Sequence, residues 1–316
     1  MTRVVVLGGT GFVGRHVCER LVRAGLDVTV PTRRLAHARQ VQMLPGVTAV
    51  ACDVHDAAQL PRVVAGHDAV INLVAILHGN AAAFDHVHVQ LPRKLAAACQ
   101  AAGVRRVVQV SALGADPQGP SQYQRSKAAG EAVLRDSPLD LTILRPSVIF
   151  GAEDRFLNVF ARLQAVAPVL PLAGAATRFQ PVWVGDVAQA VVVALRQRDS
   201  IAQVYEACGP DILTLAQIVH LAGQGAGHAR PVIGLPLWLG YLQALLMEWL
   251  PGEPLMSRDN VASLSVDNVG TGRWPGLQAL GISPAALAAV APTYLGRRGP
   301  RSALDAMRLG ARRDKP

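Results

Sequence analysis

The chain has 316 residues, 51% of them hydrophobic and 17% charged, which excludes a disordered protein and supplies one large core or a core with a smaller lobe. The formal charge of +9 is uneven: seven basic residues (Arg297, Arg298, Arg301, Arg308, Arg312, Arg313, Lys315) face only Asp305 and Asp314 in the stretch from 297 to 316. That tail has no aromatic residue, so base stacking is excluded for it and nucleic acid is not an expected partner, leaving a solvated segment or one drawn to anionic lipid.

In chain order, Val4-Val5-Val6-Leu7 reads as a buried strand and is followed at once by GGTGFVG and a helical stretch from Arg15 to Ala24. Gly8, Gly11 and Gly14, with Thr10, Phe12 and Val13 between them, form G-x-x-G-x-x-G between strand and helix. There backbone N–H groups can approach a pyrophosphate at the positive end of the helix. The next strand, Val28-Thr29-Val30, runs into Pro31-Thr32-Arg33-Arg34, where a site for NAD places an acidic residue on the ribose hydroxyls. Two guanidiniums suit a 2′-phosphate instead, and Asp27 is expected at the far end of the strand, so NADP(H) is preferred over NAD(H).

Further strands are predicted at 47–51, 69–74, 106–110 and 139–144, each followed by a helical stretch or a turn. Alternating strands and helices imply an α/β fold with a doubly wound parallel sheet of Rossmann type and a smaller C-terminal lobe. Residues 1–150 are expected to form the nucleotide domain, with 182–210 returning to it. Residues 151–181 and 211–296 then make the lobe, and 297–316 the basic tail. Asp186 reads as the N-cap of a helix from Val187 to Leu195. Cys18, Cys52, Cys99 and Cys208 lie in apolar runs without metal-site spacing and read as buried thiols; no metal is expected. The glycine loop begins so early that no signal peptide is expected, which points to the cytoplasm.

Tyr123 and Lys127 stand four apart and share a helix face, where an ammonium can stabilise a phenolate and make its proton transferable. Lysine occurs only three times in the chain, so the pairing is specific. With GGTGFVG, Asp53-Val54, Asn72-Leu73-Val74-Ala75 and Tyr123-x-x-x-Lys127, the first 150 residues resemble the extended and atypical short-chain dehydrogenase/reductase superfamily. The resemblance implies that Asp53 and Val54 contact adenine, that the segment holding Asn72, Val74 and Ala75 lines the cofactor together with Pro146, and that Lys127 holds the nicotinamide ribose. Taken alone, Asp53 reads as a turn residue or helix cap. The superfamily's catalytic serine falls on Ala112, with Ser111 one position short, and its active-site asparagine falls on His88 or Gln90.

Three longer stretches, 151–158, 178–188 and 254–260, resemble the bacterial relatives of the NADPH-binding accessory subunit of respiratory complex I, alpha subcomplex subunit nine. That resemblance implies a held NADPH with weak or no dehydrogenase activity and a link to complex I or quinone metabolism. An active reductase or epimerase in which Ser111 or a substrate group fills the gap, and a redox-sensing scaffold, stay open as alternatives. Val232 to Leu250 carries one formal charge, Glu248, with Trp238, Tyr241 and Trp249; starting at Pro236, its regular part is about 15 residues, too short to span a bilayer. It reads as a packed helix or an interfacial one, the latter placing the protein peripherally on the inner membrane or a membrane complex.

Overall fold

A computed structural model describes residues 2–249 and 256–296; the basic tail from Arg297 lies outside the described residues. The first half runs β1 (Arg3–Leu7), α1 (Phe12–Arg23), β2 (Asp27–Thr32), α2 (Arg39–Gln42), β3 (Val47–Ala51), α3 (Leu60–Val64) and β4 (Ala69–Asn72). It continues through α4 (Ala81–Asp85), a π-helical turn (His86–Gln90), α5 (Leu91–Ala102), β5 (Arg106–Val110), α6 (Gln122–Arg135) and β6 (Asp140–Pro146). There follow β7 (Ile149–Phe150), α7 (Leu157–Val166), β8 (Leu170–Ala173), β9 (Arg178–Phe179), β10 (Val182–Trp183), α8 (Val184–Arg196) and β11 (Val204–Ala207). The described residues continue through β12 (Leu213–Thr214), α9 (Leu215–Gly225), β13 (Val232–Leu235), α10 (Leu237–Glu248), α11 (Arg258–Ser263), α12 (Leu287–Val290) and α13 (Pro292–Leu295).

Seven parallel strands form one sheet in the order β11-β6-β5-β4-β1-β2-β3. The fold is therefore a doubly wound Rossmann sheet, and the point where the strand order reverses, between β1 and β4, is where such sheets bind ligands. Uninterrupted β-branched runs form these strands because both faces are covered: Val4, Val5, Val6 and Leu7 are all fully buried. One face, with Val4, Val6, Val108 and Val110, packs on Val17, Cys18 and Leu21 of α1 and on Val187 and Val191 of α8. The other, with Val5, Val70 and Val107, packs on Leu91 and Leu95 of α5 and on Leu134 of α6. A third cluster, built on Phe150, Leu157, Leu172 and Ile218, is the core of the smaller lobe. All four cysteines are buried free thiols, and burial pushes Cys18, Cys99 and Cys208 up to about 12.

One local expectation is corrected. Asp186 is not an N-cap: α8 begins earlier, at Val184, with Trp183 as its cap residue. The Asp186 carboxylate instead accepts a hydrogen bond from Ala285 N at 2.8 Å, tying a late segment to the first turn of α8. The apolar run from Val232 keeps its helical part where the sequence placed it, from Pro236 onward. Its first four residues are β13, paired with β8, and Pro236 is the N-cap residue of a twelve-residue helix about 18 Å long. Among the described residues no helix is long and apolar enough to cross a membrane.

Candidate functional site

The glycine loop is shaped by what its residues lack. Gly8 sits at φ +80, in the left-handed region, and an added Cβ there would press on the backbone of Leu73 and Val74 beyond β4. A Cβ on Gly14 would overlap Gly8 O and lie 2.6 Å from Gly9 Cα. Gly11 is the N-cap residue of α1, extended and without a side-chain cap, and the first turn carries no acidic residue. The start of α1, with Phe12 and Val13, thus presents N–H groups that no side chain among the described residues satisfies, a cradle suited to a pyrophosphate.

At the adenine end, Arg33 and Arg34 are exposed just past β2, while Asp27 begins that strand at the opposite edge. Asp53 follows β3 and closes a turn, its Oδ1 accepting from His55 N at 3.0 Å, with Val54 between them. Sequence reasoning missed the pair beside it. His55 stacks on His86 at 4.4 Å, and Lys94 Nζ donates to His55 O at 2.6 Å. Burial holds His55 below its ordinary value, with His86, Lys94 and Arg33 adding to the effect and Asp53 opposing it. Only the fold brings these groups together, so no spacing in the sequence announces them.

Asn72 ends β4 fully buried. Its Nδ2 donates to Gln109 Oε1 at 2.8 Å and its Oδ1 accepts from Val74 N at 3.2 Å, which fixes the bend that leads to Ala75. Pro146, at the end of β6, is buried and its carbonyl accepts from Leu113 N at 2.8 Å.

Tyr123 and Lys127 lie on the first turns of α6, whose start is set by a capping box of Ser121 and Gln124. The Lys127 ammonium is buried and donates to Val110 O at 3.0 Å. Burial lowers it to about 8, with Glu131 opposing; burial likewise pushes the Tyr123 phenol up to about 12. Among the described residues the phenol oxygen has no hydrogen-bond partner.

Beyond β5 the ladder continues, with Ser111 N donating to Leu144 O and Leu113 N to Pro146 O. Side-chain alternation therefore holds, and Ser111 shares the face of Val107, toward α5 and α6, while Ala112 shares the face of Val108 and Val110. Yet Ser111 Oγ is sealed from solvent and has no partner among the described residues, so in this conformation it does not face a substrate.

Of the two residues offered for the superfamily's asparagine, the structure brings His88 to the site. Gln90 instead donates to Asp85 at the surface. His88 is 3% exposed; its Nε2 accepts from Ile76 N at 3.2 Å, which leaves the proton on Nδ1, 2.8 Å from Ser126 Oγ. Ser126 in turn donates to Tyr123 O at 2.9 Å, and the imidazole meets the Tyr123 ring edge to face at 5.6 Å. Burial, with Lys127 nearby, drives His88 down to about 3, so it acts as a neutral brace. The π-helical turn that carries it packs so close to α6 that a Cβ on Gly130 would collide with His88 O.

This arrangement of glycine cradle, buried Asn72 and Tyr123-x-x-x-Lys127 agrees with what comparison with known proteins finds. The NAD(P)H-binding family matches residues 8–160. Subunit 9 of the NADH dehydrogenase [ubiquinone] 1 alpha subcomplex from Mus musculus is 35% identical over 295 residues, covering 89% of this chain and 76% of that protein. The chain belongs to the alpha subcomplex subunit 9 family. The chain is also 31% identical over 199 residues to a ceramide reductase of Caulobacter vibrioides, covering 61% of each. Among solved structures, an NADPH-dependent quinone oxidoreductase from Escherichia coli complexed with NADPH superimposes with a TM-score of 0.74. At 20% identity over 92% of this chain and 99% of that one, the likeness shows the fold alone.

Proposed function

We propose that this subunit 9 relative holds NADPH and passes its reducing equivalents slowly, to a quinone in preference to an isolated ketone or aldehyde. The observation that carries the reading is the sealed, unpartnered hydroxyl of Ser111, which leaves Tyr123 as the donor available to a substrate oxygen. NADPH, when bound, supplies a hydride. The backbone of the glycine loop would hold its pyrophosphate, Arg33 and Arg34 its 2′-phosphate, and Lys127 its ribose hydroxyls.

The preference follows from proton affinities. Hydride addition to a ketone leaves an alkoxide, about as basic as hydroxide at roughly pKa 15.7, which must take a proton within the site. Addition to a quinone leaves a phenolate, whose acid has a pKa of about 10, like a free tyrosine. Tyr123 near 12 would give its proton to the alkoxide and be left as a buried phenolate, whereas against the quinone product it keeps its proton and acts only as a hydrogen-bond donor. The test is NADPH oxidation by purified protein with a short-chain ubiquinone and with a panel of ketones and aldehydes. Slow, quinone-dependent oxidation is expected; vigorous ketone reduction overturns the reading.

The two arginines give a separate expectation. Replacing Arg33 and Arg34 together by alanine removes two charge-assisted contacts to the 2′-phosphate, each worth about 1.5–3 kcal/mol, so NADPH affinity falls at least about 100-fold while NADH affinity barely changes. Titration of both nucleotides by intrinsic fluorescence reads this directly, and equal binding of NADH and NADPH by the unaltered protein would contradict it.

We also propose that the protein works at a membrane surface. Gly240 and Ala244 bury one side of α10 against β8, where a Cβ on Gly240 would overlap Ala173 Cβ. The opposite stripe is bare: Trp238 is 66%, Leu242 50%, Leu246 62% and Trp249 81% exposed. Ring systems of this kind suit the headgroup region, and the chain's charge of +9 favours anionic lipid. Sedimentation with phosphatidylglycerol vesicles is expected to retain the protein at low salt and release it at high salt. Trp238→Ser with Leu242→Ser, or removal of the chain from Arg297, is expected to abolish retention; an unaltered protein that stays in solution at low salt refutes the placement.

A further inference from the structure

One carboxylate reaches the reaction site from the smaller lobe. Asp259, the second residue of α11, accepts hydrogen bonds from Gln122 N at 2.6 Å and Tyr123 N at 3.1 Å. These are first-turn N–H groups of α6, which have no partner within the helix. Ser121 Oγ serves Gln124 N, so Asp259 supplies the acceptors that the capping box does not. Its neighbours hold α11 in place on both sides. Arg258 meets Glu248 at the end of α10 through its backbone N and its Nε, each at 2.8 Å, and Asn260 Nδ2 donates to Leu77 O at 3.4 Å, on the loop beyond β4. Thus α11 bridges the start of the Tyr123 helix and the loop that His88 clasps at Ile76.

We infer that Asp259 is the positioning residue for Tyr123, fixing the first turn of α6 from the opposite lobe. The geometry argument is the bidentate grip on consecutive N–H groups, one of them that of Tyr123 itself. The charge argument is that the positive end of a helix favours the phenolate, and a carboxylate seated on that end cancels the bias. The inference rests on the proposed role of Tyr123 as hydrogen-bond donor, and it adds a requirement: both lobes must be docked for that donor to be in register.

The experiment uses the full chain with Asp259→Ala, Asp259→Asn and Asp259→Glu, and needs no turnover. Hydrogen exchange is expected to quicken at least tenfold at Gln122 and Tyr123 in Asp259→Ala, with β5 and α5 unchanged. Ultraviolet titration of the phenol, assigned by subtracting the same variant in a Tyr123→Phe background, is expected to move down by about half a unit or more in Asp259→Asn. Asp259→Glu, which restores the charge, is expected to recover the titration. In quinone reduction, kcat falls while NADPH affinity holds. Unchanged exchange and titration in a folded Asp259→Ala protein overturn the inference. Oxidation that ignores Tyr123→Phe overturns the proposed function, yet leaves the exchange and titration results to decide the role of Asp259.

Discussion

Gly14→Ala is expected to weaken NADPH binding by more than about 100-fold while the sheet stays folded. The methyl group would overlap Gly8 O and approach Gly9 Cα at 2.6 Å and Gly9 C at 2.7 Å, all of them backbone atoms that no rotamer change can move. Relief requires the glycine loop to shift away from α1, and the N–H groups that face the pyrophosphate shift with it. Overpacking of this kind costs about 1–3 kcal/mol of stability as well. Two controls separate the loss of the cradle from general strain. At Gly11 an added Cβ meets only Gly8 O, at 3.2 Å, so Gly11→Ala folds normally and weakens binding only through its approach to the ligand. Gly25, beyond the far end of α1, has φ +77 with nothing within 4 Å, so Gly25→Ala costs about 1 kcal/mol of stability and leaves binding intact. Nucleotide titration together with thermal unfolding distinguishes the three, and wild-type affinity in Gly14→Ala would show that the loop is not the phosphate cradle.

The nucleotide half was legible in the sequence because parallel strands buried on both faces read as unbroken apolar runs, and Val4 to Leu7 and Arg106 to Val110 stand where they were expected. Tyr123 and Lys127 were legible for a related reason, since four residues on a helix fix a shared face without help from the rest of the fold. The strand from Val232 was not. A short apolar run cannot be told from helix or strand by periodicity, and what makes Val232–Leu235 a strand is pairing with Leu170–Ala173, far away in the chain. The same limit hid Asp186, whose carboxylate is claimed by Ala285 N, and the contact of Asp259 with the Tyr123 helix. His88 was visible only as one of two polar helix residues. What selects it is the π-helical turn, which shifts the face that residues 86–90 present and is invisible to a 3.6-residue count.

Tyr123→Phe is expected to lower quinone-dependent NADPH oxidation by about 100- to 1000-fold, the usual worth of one donor to a developing oxyanion. Ser111→Ala is expected to leave that rate unchanged. The contrast follows from access: the Ser111 hydroxyl is sealed and unpartnered, so its removal deletes a buried group that already lacks a hydrogen bond and stabilises the fold by about 1 kcal/mol. If Ser111 were instead the superfamily's substrate-binding hydroxyl displaced by one position, its loss would cost as much rate as that of Tyr123. Parallel assays of both variants, with thermal unfolding, decide between these outcomes. The pH profile supplies a second check. Tyr123, near 12, stays protonated throughout the working range, whereas Lys127, lowered to about 8, carries its charge only below that pH. The ammonium steadies negative charge gathering on the substrate oxygen, so oxidation is expected to be flat below pH 8 and to decline above it. A decline that sets in only near pH 10 would mean that bound nucleotide restores the ordinary lysine value, and that Lys127 turns from Val110 O to the ribose when the cofactor enters.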